Sequence, residues 1–251
     1  MTGFITLFQK EISRFLKVGL QTILAPIIAT LLYLLIFFHV LSAHVEVYPD
    51  IAYTQFLIPG LVMMAIVQNA FANSSSSLIQ SKMSGNIVFV LLSPLSYHEI
   101  FLAYILASVV RGLLVGIGVY LITLFFFEIP LQFPLWAVLF AIMGSALLGA
   151  LGLLAGISAE KVDQLAAFQN FIILPLTLLS GVFYTIQSLP VIWQHFSEFN
   201  PFFYAIDGFR YGFLGISEVS PYKSLMIVTL CFLVISLITI KVIKSGYKLR
   251  N

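Results

Sequence analysis

A chain of 251 residues with 61% hydrophobic and only 9% charged side chains is too apolar to be solvated like a soluble domain, in which about a quarter of the residues carry charge. Its net charge of +2 leaves no basic footprint for a nucleic acid, and its single cysteine, Cys231, rules out an intrachain disulfide. The apolar residues come in blocks long enough to cross a bilayer, so the chain reads as one all-α polytopic membrane domain over 1–251.

Residues 3–17 carry Phe4, Phe8, Ile12 and Phe15 at helical spacing, with Lys10, Glu11, Arg14 and Lys17 on other faces. This is the pattern of an amphipathic helix lying in the interface plane. The apolar run that follows is about twice the length of a signal-peptide core, so it is expected to stay in the membrane as a first span over 18–41, with Pro26 inside it. The loop 42–52 holds His44, Glu46 and Asp50 and no Lys or Arg. A second span is expected over 53–78. A polar segment, 79–100, follows. Arg111 interrupts the next apolar run, and a charge at mid-bilayer costs about 2.5–3.5 kcal/mol. That places the third span over 108–127, with Arg111 snorkelling near one interface and 97–107 as an interfacial pre-helix. Spans four, five and six are expected over 134–157, 165–186 and 223–240. Six spans put both termini on one side. Of the twelve Lys and Arg residues, only Arg210 and Lys223 fall on the other, so the positive-inside rule makes the terminus side cytoplasmic.

A search for catalytic signatures is empty. There is no G-x-x-x-x-G-K-[ST], H-E-x-x-H or G-x-S-x-G, the four histidines lack ligand spacing, and no acidic residue sits at the middle of a span. An ion-coupled transporter and a membrane-embedded lipid-modifying enzyme are therefore the alternatives rather than the leading reading. The second span has a polar inner half. Asn69, Asn73, Ser76 and Gln80 share one helical face, and the fifth span offers Gln169 and Asn170 near Pro175. Amides in hydrocarbon need partners, so this face is either interhelical glue or the lining of a substrate pathway. Ser145, Gly149, Gly152 and Gly156, like Ser108, Gly112 and Gly116, have the spacing of closely packed helices.

Two segments fit neither spans nor loops. In 84–95, Asn86 is placed to cap a short helix that Pro94 ends, and its apolar residues are too few to span and too many to leave in water. In 187–221, Leu189-Pro190 opens one short helix and Asn200-Pro201 precedes a second, aromatic one over about 202–214. There Asp207 and Arg210 are spaced to pair.

With these residues in view, the chain resembles a permease of the ABC-2 exporter family over essentially its whole length. The resemblance rests on the ordered set Gly181-Val-Phe183, Leu189-Pro190, Gln194, Asn200-Pro201 and Asp207-Gly-Phe-Arg210, with Ser84-Gly-Asn-Ile through Leu92-Ser-Pro94-Leu. It implies a homodimer that pairs with two copies of a separate ATPase. ATP and Mg would be bound there, and this chain would hold no cofactor. It also implies that 84–95 is the cytoplasmic coupling helix, touching the ATPase through Gly85, Asn86, Ile87, Val88, Val90, Leu91 and Pro94. Where relatives often carry an acid after the isoleucine, this chain has Val88 and Phe89. The segment 187–214 would form outer re-entrant helices, with Leu189, Pro190, Asn200, Pro201, Asp207 and Arg210 at an outer gate. The path would open between the second and fifth spans for export of an amphipathic, lipid-linked or polysaccharide-type substrate.

Overall fold

The computed structural model describes residues 2–41, 47–48 and 51–249 and is helical almost throughout. His44, Glu46, Asp50 and Arg250 lie outside the described residues. Eleven α-helices are described: α1 (Thr2–Lys17), α2 (Ala25–Leu41), α3 (Tyr53–Met83), α4 (Ile87–Leu92), α5 (Tyr97–Thr123), α6 (Pro134–Ser158), α7 (Val162–Phe168), α8 (Leu174–Leu178), α9 (Val191–Glu198), α10 (Pro201–Leu214) and α11 (Pro221–Ser245). Five segments are long and apolar enough to cross a membrane: Leu20–Val40, α3, α5, α6 and α11.

The 31-residue α3 is the axis of the bundle, buried on nearly every side against α2, α5, α6 and α10. The expected small-residue spacing lets α6 come against it. A Cβ on Gly152 would stand 2.4 Å from the Phe71 carbonyl oxygen, so only glycine permits this approach. Ser74 Oγ uses the same closeness to donate to the Gly149 carbonyl at 2.6 Å. In α11 the usual order is inverted. Ser224, Ser236 and Thr239 face the protein, whereas Leu230, Leu233 and Leu237 face outward, as a helix does when its solvent is hydrocarbon.

Two ends of the bundle can be told apart. Leu7 of α1, Ile87 of α4, Phe101 of α5 and Ile243 and Leu249 at the end of α11 share one apolar cluster, which marks the α1 end. At the opposite end α10 is wedged between α3 and α6.

Three expectations change. First, Tyr97–Thr123 is one uninterrupted helix, not a pre-helix followed by a span. No Gly or Pro breaks 97–111, and a capping box between Ser96 and Glu99 starts the helix cleanly. Second, the expected fifth span over 165–186 is a 17-residue apolar helix, Val162–Leu178, followed by turns. It carries a π turn, Gln169–Ile173, where the Leu174 N–H bonds back to the Gln169 carbonyl. Pro175 has no N–H for the Phe171 carbonyl, and widening the turn relieves the ring clash. The same device precedes Pro26, where a π turn at Leu20–Leu24 lets the Ala25 N–H bond the Leu20 carbonyl. Third, Asn86 makes no side-chain cap on α4. Its backbone is already helical, and the preceding turn is made by Gly85 in the left-handed region at φ +71°.

Candidate functional site

The polar half of α3 is occupied by two charged side chains of α1. The spacing of α1 placed Glu11 and Arg14 off its apolar face, and both turn inward to the bundle. Glu11 is fully buried and accepts a 2.5 Å hydrogen bond from Ser77 Oγ. Arg14 Nη2 donates to both the backbone carbonyl and the side-chain Oδ1 of Asn73, each at 2.9 Å. Its Nη1 lies 3.4 Å from Ser76 Oγ. Arg14 Nε stands 3.4 Å from Glu11 Oε2, a charge contact without hydrogen-bond geometry, since that nitrogen has no hydrogen-bond partner. Asn73 Nδ2 then reaches Ser108 Oγ on α5 at 3.3 Å. The reason for the inversion is chemical. A serine- and asparagine-rich face in hydrocarbon needs partners, and α1 supplies a carboxylate and a guanidinium at matching helical spacing.

One turn further along α3, Asn69 accepts from Arg111 Nη2 at 3.2 Å and donates to the Ala65 carbonyl at 3.0 Å. Among the residues expected to line a path, Asn69 and Asn73 are therefore buried and bonded, Ser76 is half-buried and Gln80 is exposed. Gln169 is half-buried and Asn170 exposed on the π turn. That helix meets α3 through Phe168 stacked on Phe71, ring centroids 6.1 Å apart.

At the α1 end, α4 presents Val88, Phe89 and Leu92 outward, with Phe89 and Leu92 about three-quarters exposed. Ile87 is buried, Val90 and Leu91 are half-buried, and Gly85, Asn86 and Pro94 are exposed. A groove of about 520 Å³ runs between Gly3, Leu7 and Lys10 of α1 and Asn86, Phe89 and Leu95 beside α4. Phe89, an exposed residue lining this groove, is one that spacing alone passed over, because a lone aromatic in an apolar run gives no directional signal.

At the far end, Arg210 is 1% exposed. It donates from Nε to the Phe56 carbonyl (3.3 Å) and from Nη2 to the Gly181 carbonyl (2.6 Å), and its guanidinium lies 3.8 Å above the Phe56 ring. A Cβ on Gly60 would stand 3.2 Å from Arg210 Nη2 and 2.8 Å from the Val182 oxygen, so glycine is required there. Asp207 does not ion-pair with Arg210; it accepts from the backbone N–H groups of Glu218 and Val219 at 2.9 and 3.0 Å. Glu218 in turn accepts from the Ile186 N–H at 2.9 Å, and burial holds its carboxyl above the ordinary range despite that bond. Asn200 caps α10 through the Phe202 N–H and donates to the Leu176 carbonyl at 2.6 Å. Pro190 precedes α9, and the Leu189 carbonyl accepts from Gln194 Nε2 at 2.8 Å. Asp207, Arg210 and Asn200 thus tie α10 to its neighbouring turns and helices in a hydrogen-bonded cap. Glu218, Phe56 and Tyr53, which bonds the Phe183 carbonyl at 3.0 Å, belong to it without a motif to announce them.

The sequence that builds this bundle matches the ABC-2 type transporter family over residues 2–214. The chain belongs to that family. Individual relatives are similar over most or nearly all of the chain. The inner membrane transport permease YadH of Escherichia coli K12 is 37% identical over 98% of this chain and 96% of its own. Nodulation protein J of Rhizobium leguminosarum bv. trifolii is 24% identical over 85% of this chain and 82% of its own. As an ABC-2 family member the chain is a membrane transport component, a permease subunit.

Proposed function

We propose that this chain is the permease half of an ATP-driven exporter in the inner membrane. Two copies would form the path, and two copies of a separate ATPase would bind ATP and Mg and drive it. The substrate would be amphipathic, lipid-linked or polysaccharide-type. In this reading the chain crosses the membrane six times, both termini are cytoplasmic, α4 is the coupling helix and α9–α10 form the outer gate.

The observation that carries the reading is α4. A six-residue helix exposing Phe89 and Leu92 at the end that bears α1 cannot be left in water, and the groove beside it is the shape of a docking surface. The family membership supports an ATPase as the occupant, and the name of the Escherichia coli relative supports the inner membrane. The test is co-purification. The permease should bring down an ATPase subunit, and Val88→Asp or Phe89→Asp should reduce recovery of that subunit and ATP-dependent transport at least tenfold. Unchanged transport in both variants would sink the reading.

A further inference from the structure

The two buried arginines of the bundle are treated differently. Arg210 has two backbone carbonyls, an aromatic face and two acids in its field. Arg111 is 7% exposed and has a single 3.2 Å bond to Asn69; its Nε is sealed from solvent without a partner. Among the described residues no carboxylate lies within 4.0 Å of it, and Glu11 is already shared by Lys10 and Arg14. Lys10 is half-exposed and solvated, so the inward-facing cations Arg14 and Arg111 have one carboxylate, Glu11, between them. A buried guanidinium without a counter-ion is unfavourable by several kcal/mol, so the cluster is short of one negative charge.

The geometry also says what shape that charge has. Asn69 and Asn73 lie one turn apart on α3, a rise of about 6 Å. Arg111 and Arg14 are each tied to one of them through Nη2. The Nε of Arg111 is buried without a partner, and the Nη1 of Arg14 makes only the 3.4 Å contact with Ser76. The two guanidiniums lie close enough to act on one another electrostatically, and a pair of neighbouring guanidiniums suits one tetrahedral oxyanion, whose oxygens accept from both forks. Arg111 is twelve residues from the α10-end terminus of α5, about 18 Å, and so lies in the half of α5 nearer the α1 end.

We propose that Arg111 and Arg14, held by Asn69 and Asn73, form a binding site for a phosphate group, carried by a lipid or free in solution. This does not rest on the export reading, because the binding needs neither ATP nor an ATPase.

The test is native mass spectrometry of the full-length chain in detergent, titrated with phosphatidic acid, with diacylglycerol, which lacks only the phosphate, and with inorganic phosphate. Phosphatidic acid should be retained at least tenfold better than diacylglycerol. Arg111→Gln should cut that retention at least fivefold. Asn69→Asp guards against a folding artefact, since it is isosteric and gives Arg111 an internal counter-ion. It should keep the melting temperature and still cut retention at least fivefold. Competition by inorganic phosphate would support the site with soluble phosphate as a source. Retention of phosphatidic acid without such competition would support it with a lipid headgroup as the source. Equal retention of the two lipids by the wild type, or undiminished phosphatidic acid on Asn69→Asp, would overturn the proposal.

Discussion

Glu11 and Arg210 show what a buried charge needs in this bundle. Among the described residues, Glu11 is the one carboxylate facing Arg14, Lys10 and Ser77. Glu11→Ala should therefore leave two cations without a counter-ion and cost about 2–4 kcal/mol. Glu11→Gln, which keeps an acceptor for Ser77, should cost less, and thermal melts of the purified protein separate the two. Arg210→Lys is the corresponding change at the cap. One ammonium cannot reach the Phe56 and Gly181 carbonyls at once while stacking on Phe56. A loss of about 2–4 kcal/mol is expected, together with higher proteolytic sensitivity in 179–190. The polar face of α3 was legible from the spacing of Asn69, Asn73 and Ser76. Its partners were not, because helical periodicity sorts residues into apolar and polar and then sends the polar ones to water. It has no means of knowing that a second helix carries its own charges to meet them. The i, i+3 spacing of Asp207 and Arg210 misled for the same reason. Both side chains found better-placed backbone groups from distant turns.

At the level of elements, helix existence followed from apolar run length, and proline marked the π turns before Pro26 and Pro175, though α3 runs unbroken through Pro59. What run length could not show is how each proline is absorbed. Both π turns end two residues before a proline, at Pro26 and Pro175, and both lie in helices whose apolar side chains largely face outward, such as Leu20, Ile28, Leu32, Phe171 and Ile172. A helix that packs on few neighbours has to settle the missing hydrogen bond internally, and the wide turn is how it does so. Pro175→Ala restores the N–H that the Phe171 carbonyl lacks, which removes a helix-interior proline disfavoured by about 3 kcal/mol. Amide hydrogen exchange across 169–178 should then slow by more than tenfold. Unchanged exchange would mean that packing, and not the proline, sets the π turn.

For the molecule as a whole, the open question of topology reduces to whether Val162–Leu178 counts as a crossing. By length it falls short, since 17 residues rise about 26 Å against a core of roughly 30 Å. Its two ends nevertheless sit at opposite ends of the bundle. The preceding turn is tied to the α1 end, where Lys82 Nζ donates to the Ile157 and Ala159 carbonyls and Lys248 pairs with Glu160 at 2.8 Å. The following turn is tied to the cap, where Arg210 holds the Gly181 carbonyl. A chain anchored this way traverses the bundle, and the seven residues of turn after Leu178 supply the missing length. On the proposed six crossings, 84–95 and the C-terminal tail would lie on one side and 187–218 on the other. The charge bias would make the first side cytoplasmic. Single-cysteine labelling in a Cys231→Ser background tests this on the permease expressed alone. A membrane-impermeant maleimide should label Gln187→Cys in intact spheroplasts and Ser84→Cys only after permeabilisation. Labelling of both before permeabilisation would put them on the same face and reduce the crossings to five.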